Sequence, residues 1–260
     1  MRHARTEFES GAAASTAGAF AVDELEIRKS VRAHYADRVE GCCGSTSGSS
    51  CGPELVQVDS SAPESLAGIP RLGVGDPMER LAPREGEIIL DLGSGPGRDV
   101  LYAGEKVGPS GLALGVDATP EMVFRSRETA RSLGRANVEF RLGEIEHLPV
   151  ETATVDGISS DCVVNLSPDK ARVFREAFRV LKPGGRLVLS DVVAERDVAP
   201  EVRQDLDRWA ACEAGAVTLS EYESLLRQAG FEDLRSEILG TYREGVLARA
   251  VVIGRKPKAA

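Results

Sequence analysis

The sequence predicts an α/β fold of the Rossmann-like type, with a doubly wound, mainly parallel sheet of seven strands. From residue 86 onward, short apolar runs typical of buried strands alternate with amphipathic segments typical of helices. The apolar run 88–90 ends in Asp91 and is followed by Gly93, Gly95 and Gly97, which indicates a tight turn from a strand into a helix. Such alternation places parallel strands side by side, with helices on both faces of the sheet.

Periodicity and turn signals locate the individual elements of this sheet. Strands are expected at 86–91, 111–117, 137–142, 153–159 and 185–191, with helices near 98–107, 119–134 and 169–181. Further helices are expected near 201–212 and 219–229, the second beginning at the capping box Thr218-x-x-Glu221. Strands near 232–240 and 246–254 complete the sheet as an antiparallel pair at one edge. The stretch 181–186 is expected to be a helix-to-strand turn with a structural role.

The part of the chain before residue 86 is expected to be an extension of this fold. Residues 1–20 are rich in Ala, Gly, Ser and Thr and lack apolar periodicity, which is typical of a loose tail. From Val22 to Tyr35 the apolar spacing is helical, with Asp23 as a cap. Residues 41–65 are too rich in Gly and Ser for regular structure and predict a loop, and a short helix begins at Asp76-Pro77.

Composition restricts the classes of partner. The 260 residues are 42% hydrophobic, enough for a full core, and the net charge of −9 argues against nucleic acid or an anionic membrane as a partner. No apolar stretch approaches the roughly 20 residues needed to cross a bilayer, and the N-terminus lacks the pattern of a secretion signal. We therefore expect a cytoplasmic location. Five cysteines, an odd number, favour thiols with a chemical role over a disulfide framework.

The glycine turn and a second acidic strand end indicate the cofactor. The turn reads D-L-G-S-G-P-G, and the apolar run 112–116 ends in Asp117, which can accept both hydroxyls of a ribose. This arrangement resembles the seven-stranded S-adenosylmethionine-dependent methyltransferases, and the alternative is a plain nucleotide-binding βαβ unit. The resemblance implies S-adenosylmethionine as cofactor and, as its binding residues, Asp91, Gly93, Ser94, Gly95, Gly97, Arg98, Asp117, Ala118 and Thr119.

The segment after the third strand adds to this resemblance. Residues 143–149 read GEIEHLP, at the place where this methyltransferase class carries its adenine-contacting residues. The resemblance implies that Ile145 and Glu146 contact the adenine. His147 is expected to be a surface or packing residue and not a general base.

Two later segments carry a more specific resemblance. Cys162 lies in SDCVVNLSPDK after the fourth strand, and Cys212 lies in the turn C-E-A-G-A. Both segments are similar to those of the arsenite methyltransferase family, and the resemblance includes the Cys42-Cys43 doublet and extends over roughly residues 25–240. It implies that Cys162 and Cys212 are catalytic as ligands of trivalent arsenic, because this soft metalloid binds thiolate sulfur. Taken singly, each cysteine is better explained as an ordinary buried residue, and the motif context at both positions reverses this preference.

Thiol ligation explains how the reaction proceeds without a protein base. Two or three thiols hold arsenic in a pyramid that leaves its lone pair exposed, and this lone pair is the nucleophile. Transfer then needs mainly proximity, orientation and exclusion of water. The resemblance implies successive methyl transfer to arsenite or methylarsenite, with a reductant such as thioredoxin or glutathione restoring the site. The alternatives are methyl transfer to a small organic metabolite and a non-catalytic metalloid or thiol sensor.

Three positions depart from the family pattern. Residues 73–77 read GVGDP where the family usually has a cysteine in place of Val74. We expect Cys43 to supply a third ligand, with Cys42 or Cys51 as alternatives; otherwise methylarsenite, with two exchangeable ligands, is the preferred substrate. Asp161 replaces a frequent asparagine, which affects the substrate, and Ala118 replaces a larger residue beside the ribose acid.

These expectations divide the chain into four parts. Residues 1–20 form the tail, and 21–85 form an N-terminal helix with a cysteine-containing loop. Residues 86–199 form the S-adenosylmethionine-binding domain, and 200–260 provide the C-terminal helices and closing strands on the substrate side.

Overall fold

A computed structural model describes residues 22–41, Leu66, Ile69, 72–243 and 246–259. Side chains are described from residue 22 to 37 in the first of these ranges. The expected tail and most of the expected loop at 41–65, with Cys42, Cys43 and Cys51, lie outside the described residues.

The described chain forms a seven-stranded sheet, as predicted. The strands are β1 (Ile88–Leu92), β2 (Leu112–Asp117), β3 (Val138–Leu142), β4 (Val155–Asp161), β5 (Leu181–Ala194), β6 (Glu232–Arg243) and β7 (Leu247–Arg255). Their order across the sheet is β3-β2-β1-β4-β5-β7-β6. The first five are parallel, whereas β7 runs antiparallel to both β5 and β6. The sheet is therefore mixed, with the predicted antiparallel pair at one edge.

Helices cover both faces of this sheet. They are α1 (Glu24–Gly41), α2 (Pro77–Leu81), α3 (Arg98–Val107), α4 (Pro120–Ser132), α5 (Lys170–Val180), α6 (Pro200–Arg203), α7 (Leu206–Ala210) and α8 (Leu219–Ala229). One apolar cluster joins the sheet to α5 and α8 through Phe174 and Tyr222, and another joins it to α2 and α3 through Met78 and Leu101. Burial of a side chain of this size stabilises the folded state by about 1.5–3 kcal/mol. The two apolar clusters therefore hold the strands firmly against the helices.

Local capping explains where several helices begin. Asp76 accepts a hydrogen bond from Glu79 N, and Thr218 accepts one from Glu221 N, so α2 and α8 begin as predicted. The single helix predicted near 201–212 is wrong, because the chain forms two short helices there. Asp205 accepts hydrogen bonds from Asp207 N and Arg208 N and thereby caps a new helix after α6 has ended.

Two other boundaries differ from the prediction. Helix α1 continues to Gly41 rather than ending near Tyr35. Strand β5 begins at Leu181 rather than near 185, and its register with β4 jumps from the pair Leu181–Val155 to the pair Arg186–Gly157. Residues 182–185 therefore form a bulge. The turn expected at 181–186 lies within β5 and does not precede it.

Helix α1, with 18 residues, is the longest of the described helices and is rich in charged side chains. None of the helices in the described ranges is long and apolar enough to cross a membrane.

Candidate cofactor and thiol site

The glycine turn joins β1 to α3 through backbone conformations that favour glycine. Gly93, Gly95 and Gly97 have φ values of 67°, 50° and 90°. Gly93 N donates to Val116 O at 2.8 Å, and Gly95 N donates to Asp117 Oδ2 at 2.8 Å. The turn is therefore held against the end of β2, and its main chain forms one wall of a cleft.

Buried acids lie at the ends of the two strands. Asp91 and Asp117 are only 5% and 9% exposed, on neighbouring strands. Burial, followed by repulsion from Asp99 and Asp161, raises the pKa of Asp91 well above its ordinary value. Burial also raises the pKa of Asp117, although the amides of Thr119 and Gly95 oppose this change. A cleft lined by several carboxylates favours a positively charged ligand.

The cleft has a volume of about 1050 Å³, including its mouth, and opens at the carboxyl ends of the parallel strands. The structure brings nearly all of the predicted cofactor residues together here. Its lining includes Asp91, Gly93, Ser94, Gly95, Arg98, Asp117, Ala118, Thr119, Ile145 and Glu146. Gly97 does not border the cleft; a Cβ there would lie 2.7 Å from Phe140 Cζ, so this glycine allows close packing.

Sequence reasoning missed the contribution of α1 to the cleft. Arg28 and Arg32, one helical turn apart, border it, together with Tyr35. Arg28 Nη2 donates to the buried Glu146 Oε1 at 3.2 Å, and Arg32 forms an ion pair with Glu144. The i, i+4 spacing of the two arginines indicates a shared helix face, but no sequence signal gives the acidic segment as their partner.

Two of the predicted cofactor-binding residues, Arg98 and Glu146, also form hydrogen bonds within the protein. Arg98 Nη1 donates to Leu66 O at 3.0 Å and to Ile69 O at 2.8 Å, which ties the preceding segment to α3. Glu146 accepts a hydrogen bond from Ser167 Oγ at 2.7 Å. His147 is exposed, in agreement with the expectation that it is a surface residue.

The two predicted arsenic ligands lie close together beside the cleft. Cys162 follows β4 and borders the cleft, whereas Cys212 follows α7 and lies behind it. The distance from Cys212 Sγ to the Cys162 carbonyl oxygen is 3.1 Å, and both side chains are buried. The hydrogen bond between the Cys162 thiol and the Cys212 sulfur, followed by burial, raises the pKa of the Cys162 thiol well above its ordinary value. The raised pKa favours the neutral thiol of Cys162 over its thiolate.

Both cysteines have a backbone conformation that is uncommon outside glycine. Their φ values are 57° for Cys162 and 61° for Cys212. Strained backbone of this kind persists where the surrounding structure holds it, and it clusters at functional sites.

Apolar side chains surround the thiol pair. Val74, which stands where the family usually has a cysteine, packs into one cluster with Cys162 and Cys212, together with Val192 and Leu247. Val74 is 6% exposed, so a buried valine, and not a thiol, occupies the position of the family's usual third cysteine. Cys162 and Cys212 are only 7% and 4% exposed, so most of their surface is shielded from solvent.

A buried polar network fastens the segment after Cys162 to β5 and α8. Asn165 Nδ2 donates to Asp191 Oδ1 at 2.9 Å, and Tyr222 Oη donates to Asp191 Oδ2 at 3.3 Å. Burial raises the pKa of Asp191 to about 6, and burial lowers the pKa of Lys170 to about 8. A Cβ on Gly215 would lie 1.9 Å from Asn165 O, so only glycine lets the turn after Cys212 approach this closely.

Comparison with known proteins identifies the family. The methyltransferase domain family matches residues 83–230. An arsenic(III) S-adenosylmethionine methyltransferase from Chlamydomonas reinhardtii is 34% identical, with a TM-score of 0.65 over 77% of this chain and 75% of that one. The chain belongs to the arsenite methyltransferase family. The predicted family membership is thus confirmed.

Curated members of the arsenite methyltransferase family agree. The arsenite methyltransferase of Halobacterium salinarum is 42% identical over 228 residues, which cover 81% of this chain and 58% of that protein. The enzyme of Aquipseudomonas alcaligenes is 46% identical over 158 residues, 58% of this chain and 46% of that protein. The chain thus spans about half the length of these curated relatives.

Proposed function

We propose that the protein is an S-adenosylmethionine-dependent methyltransferase that transfers methyl groups to thiol-bound trivalent arsenic, as arsenite, methylarsenite or both. The observation that carries this proposal is the proximity of two buried cysteines where Cys162 borders the cofactor cleft, with Cys212 Sγ 3.1 Å from the Cys162 carbonyl oxygen. A general methyltransferase does not need a second thiol at this place.

The residues of the cleft fit the cofactor. When bound, S-adenosylmethionine supplies an electrophilic methyl group on a cationic sulfur. Asp117 would accept the ribose hydroxyls, and the main chain of 93–97 would accommodate the amino-acid end, where Asp91 lies. Ile145 and Glu146 would contact the adenine. The remaining predicted cofactor residues would line the pocket: Ser94, Arg98, Ala118 and Thr119. The carboxylates of this cleft favour the sulfonium charge over a neutral ligand.

The thiol pair would bind arsenic by condensation. Each S–H reacts with one As–OH, so that an As–S bond forms, the As–O bond breaks, and the thiol proton leaves in water. The proton of each thiol passes to the departing hydroxyl, so the condensation needs no protein base to accept it. Cys162 and Cys212 would then hold arsenic with its lone pair exposed, and Val74, Val192 and Leu247 would keep water away.

The identity of the arsenical depends on a third ligand. Val74 fills the corner where the family has a thiol, so Cys43, or alternatively Cys42 or Cys51, would have to provide it. Replacement of all three by serine should abolish methylation of arsenite and spare that of methylarsenite, which has two exchangeable ligands. Unchanged methylation of arsenite would contradict a ligand from this segment.

An assay with isotopically labelled cofactor tests the proposal directly. The purified chain is incubated with labelled S-adenosylmethionine and a thiol reductant, and with arsenite, methylarsenite or no metalloid. The proposal expects labelled methylated arsenicals with at least one of the two substrates and none without metalloid. If no labelled arsenical forms with either, the assignment is wrong; label in an organic acceptor would indicate a metabolite methyltransferase, and cofactor binding without transfer would indicate a sensor.

The remaining assignments are part of the same proposal. A cellular thiol reductant such as thioredoxin or glutathione would restore the cysteines, and the cytoplasm would keep them reduced. Helix α1, in the part of the chain from 21 to 85, would cover one side of the cofactor, in keeping with its position at the cleft, and residues 86–199 would bind it. Residues 200–260 would form the substrate side, because they contribute Cys212 and Leu247 to the thiol cluster.

A further inference from the structure

Asp161 lies where the cofactor cleft meets the thiol pair. It is the last residue of β4, immediately before Cys162, and it borders the cleft. The preceding Ser160 is in register with Leu92, the last residue of β1 before the glycine turn. Asp161 is therefore adjacent to the cofactor site on one side and to the first arsenic ligand on the other.

The Asp161 carboxylate is bound to a segment distant in sequence. Its Oδ1 accepts hydrogen bonds from Val74 N at 2.8 Å and from Gly75 N at 3.2 Å. Two backbone amides converge on one oxygen, and hydrogen bonds to a charged group are among the stronger ones in proteins. A Cβ on Gly73 would lie 1.9 Å from Asp161 Oδ2, so the absence of a side chain there allows this approach.

The same segment borders both sites. Leu72 and Gly73 line the cofactor cleft, and Val74 packs against Cys162 and Cys212. A ligand that orders this segment at one site therefore also orders the wall of the other, which is the physical requirement for coupled binding.

We propose that Asp161 is a positioning residue that couples the cofactor pocket to the thiol pair by holding residues 72–75 as their common wall. The ligands named here rest on the proposed function, but the coupling is a property of binding and is measured without turnover. Asparagine at this position retains an oxygen that can accept the two amide hydrogen bonds, whereas alanine does not. The pair of variants therefore separates hydrogen-bond acceptance from charge.

The test measures binding of S-adenosylhomocysteine by calorimetry, with and without phenylarsine oxide, in a parent protein whose Cys42, Cys43 and Cys51 are serine. Binding of the arsenical is followed by the fluorescence of Trp209, the single tryptophan of the sequence, which is buried three residues before Cys212. We expect the arsenical to tighten S-adenosylhomocysteine binding at least about fivefold in the parent and in D161N. In D161A the two affinities should become independent.

Two further variants make the result specific. Gly73→Ala should behave like D161A, because the added methyl group displaces the carboxylate. Asp156→Ala is the matched control: this aspartate lies near the other end of β4, where Oδ2 accepts a hydrogen bond from Ile88 N at 2.9 Å. It should lower thermal stability without changing the coupling.

Coupling of parental size in D161A would overturn the assignment, as would a D161N protein that is as uncoupled as D161A. A parent protein that binds neither ligand would contradict both this inference and the proposed function. Intact coupling without methyl transfer would instead overturn only the proposed function and leave the role of Asp161 established.

Discussion

The two halves of the candidate site are built in contrasting ways. The cofactor half depends on backbone hydrogen bonds between neighbouring strand ends, such as that from Gly95 N to Asp117, 22 residues apart. The thiol half joins three separate segments, and Cys162 and Cys212 alone are 50 residues apart. The first is polar and acidic, and the second is enclosed by apolar side chains. A short motif can thus specify the cofactor half, whereas the thiol half depends on how distant elements pack.

The sharpest way to separate the halves is to remove the sulfur atoms. Cys162→Ser and Cys212→Ser should each lower the rate of arsenic methylation about a hundredfold or more, because a hydroxyl is a poor ligand for a soft metalloid. Cofactor affinity, measured by calorimetry, should stay within about threefold. The double variant should be little worse than either single one, since the thiols act as a unit. Loss of cofactor binding would mean that the cysteines support the fold of both halves.

The reciprocal change addresses the cofactor half. Asp117→Ala removes the acceptor for Gly95 N and Thr119 N and the expected partner of the ribose. We expect cofactor affinity to fall about 10- to 100-fold, the size of one or two lost hydrogen bonds to a charged group. Arsenical binding, followed by Trp209 fluorescence, should be retained. Equal loss of both affinities would contradict the separation of the halves.

A third thiol can be introduced beside Cys162 and Cys212 by replacing Val74. Val74→Cys should raise the affinity for arsenite about tenfold, because a third As–S bond becomes available, with a much smaller effect on methylarsenite. Val74→Ser is the matched control, since it changes size and polarity without adding a thiol. Competition between the two arsenicals gives the measurement. Equal gains for serine and cysteine would show that space, and not sulfur, is the limiting factor.

The smallest expected effect is at the edge of the cofactor half. Arg28→Ala removes the ion pair with the buried Glu146, which keeps its hydrogen bond from Ser167. Because the arginine is partly solvent-exposed, we expect cofactor affinity to fall only about threefold to fivefold, with no change in arsenical binding. Arg28→Lys should restore most of the affinity. A hundredfold loss would mean that α1 contacts the cofactor more extensively.

The same contrast explains what could be predicted from the sequence. The glycine turn, Asp91 and Asp117 were placed correctly because the motif and its partners follow one another along adjacent strands. The break between α6 and α7 was missed because the capping of Asp205 competes with helical periodicity.

Contacts across long sequence separations were beyond such reasoning. The ion pair of Arg28 with Glu146 joins residues 118 positions apart in the sequence, and the hydrogen bond from Val74 N to Asp161 joins residues 87 positions apart. Periodicity and motifs carry no information about such pairs. The convergence of Cys162 and Cys212 was expected only through family resemblance and not through any pattern in the residues themselves.

The left-handed backbone at both buried cysteines has a thermodynamic consequence. The φ values are 57° and 61°, a region that glycine adopts without steric strain. For a residue with a side chain, such as cysteine, this conformation costs about 1–3 kcal/mol. The native chain accepts this cost twice, in a molecule whose total margin against unfolding is of the order of 10 kcal/mol. The packing around these two positions must therefore offset a local loss of stability.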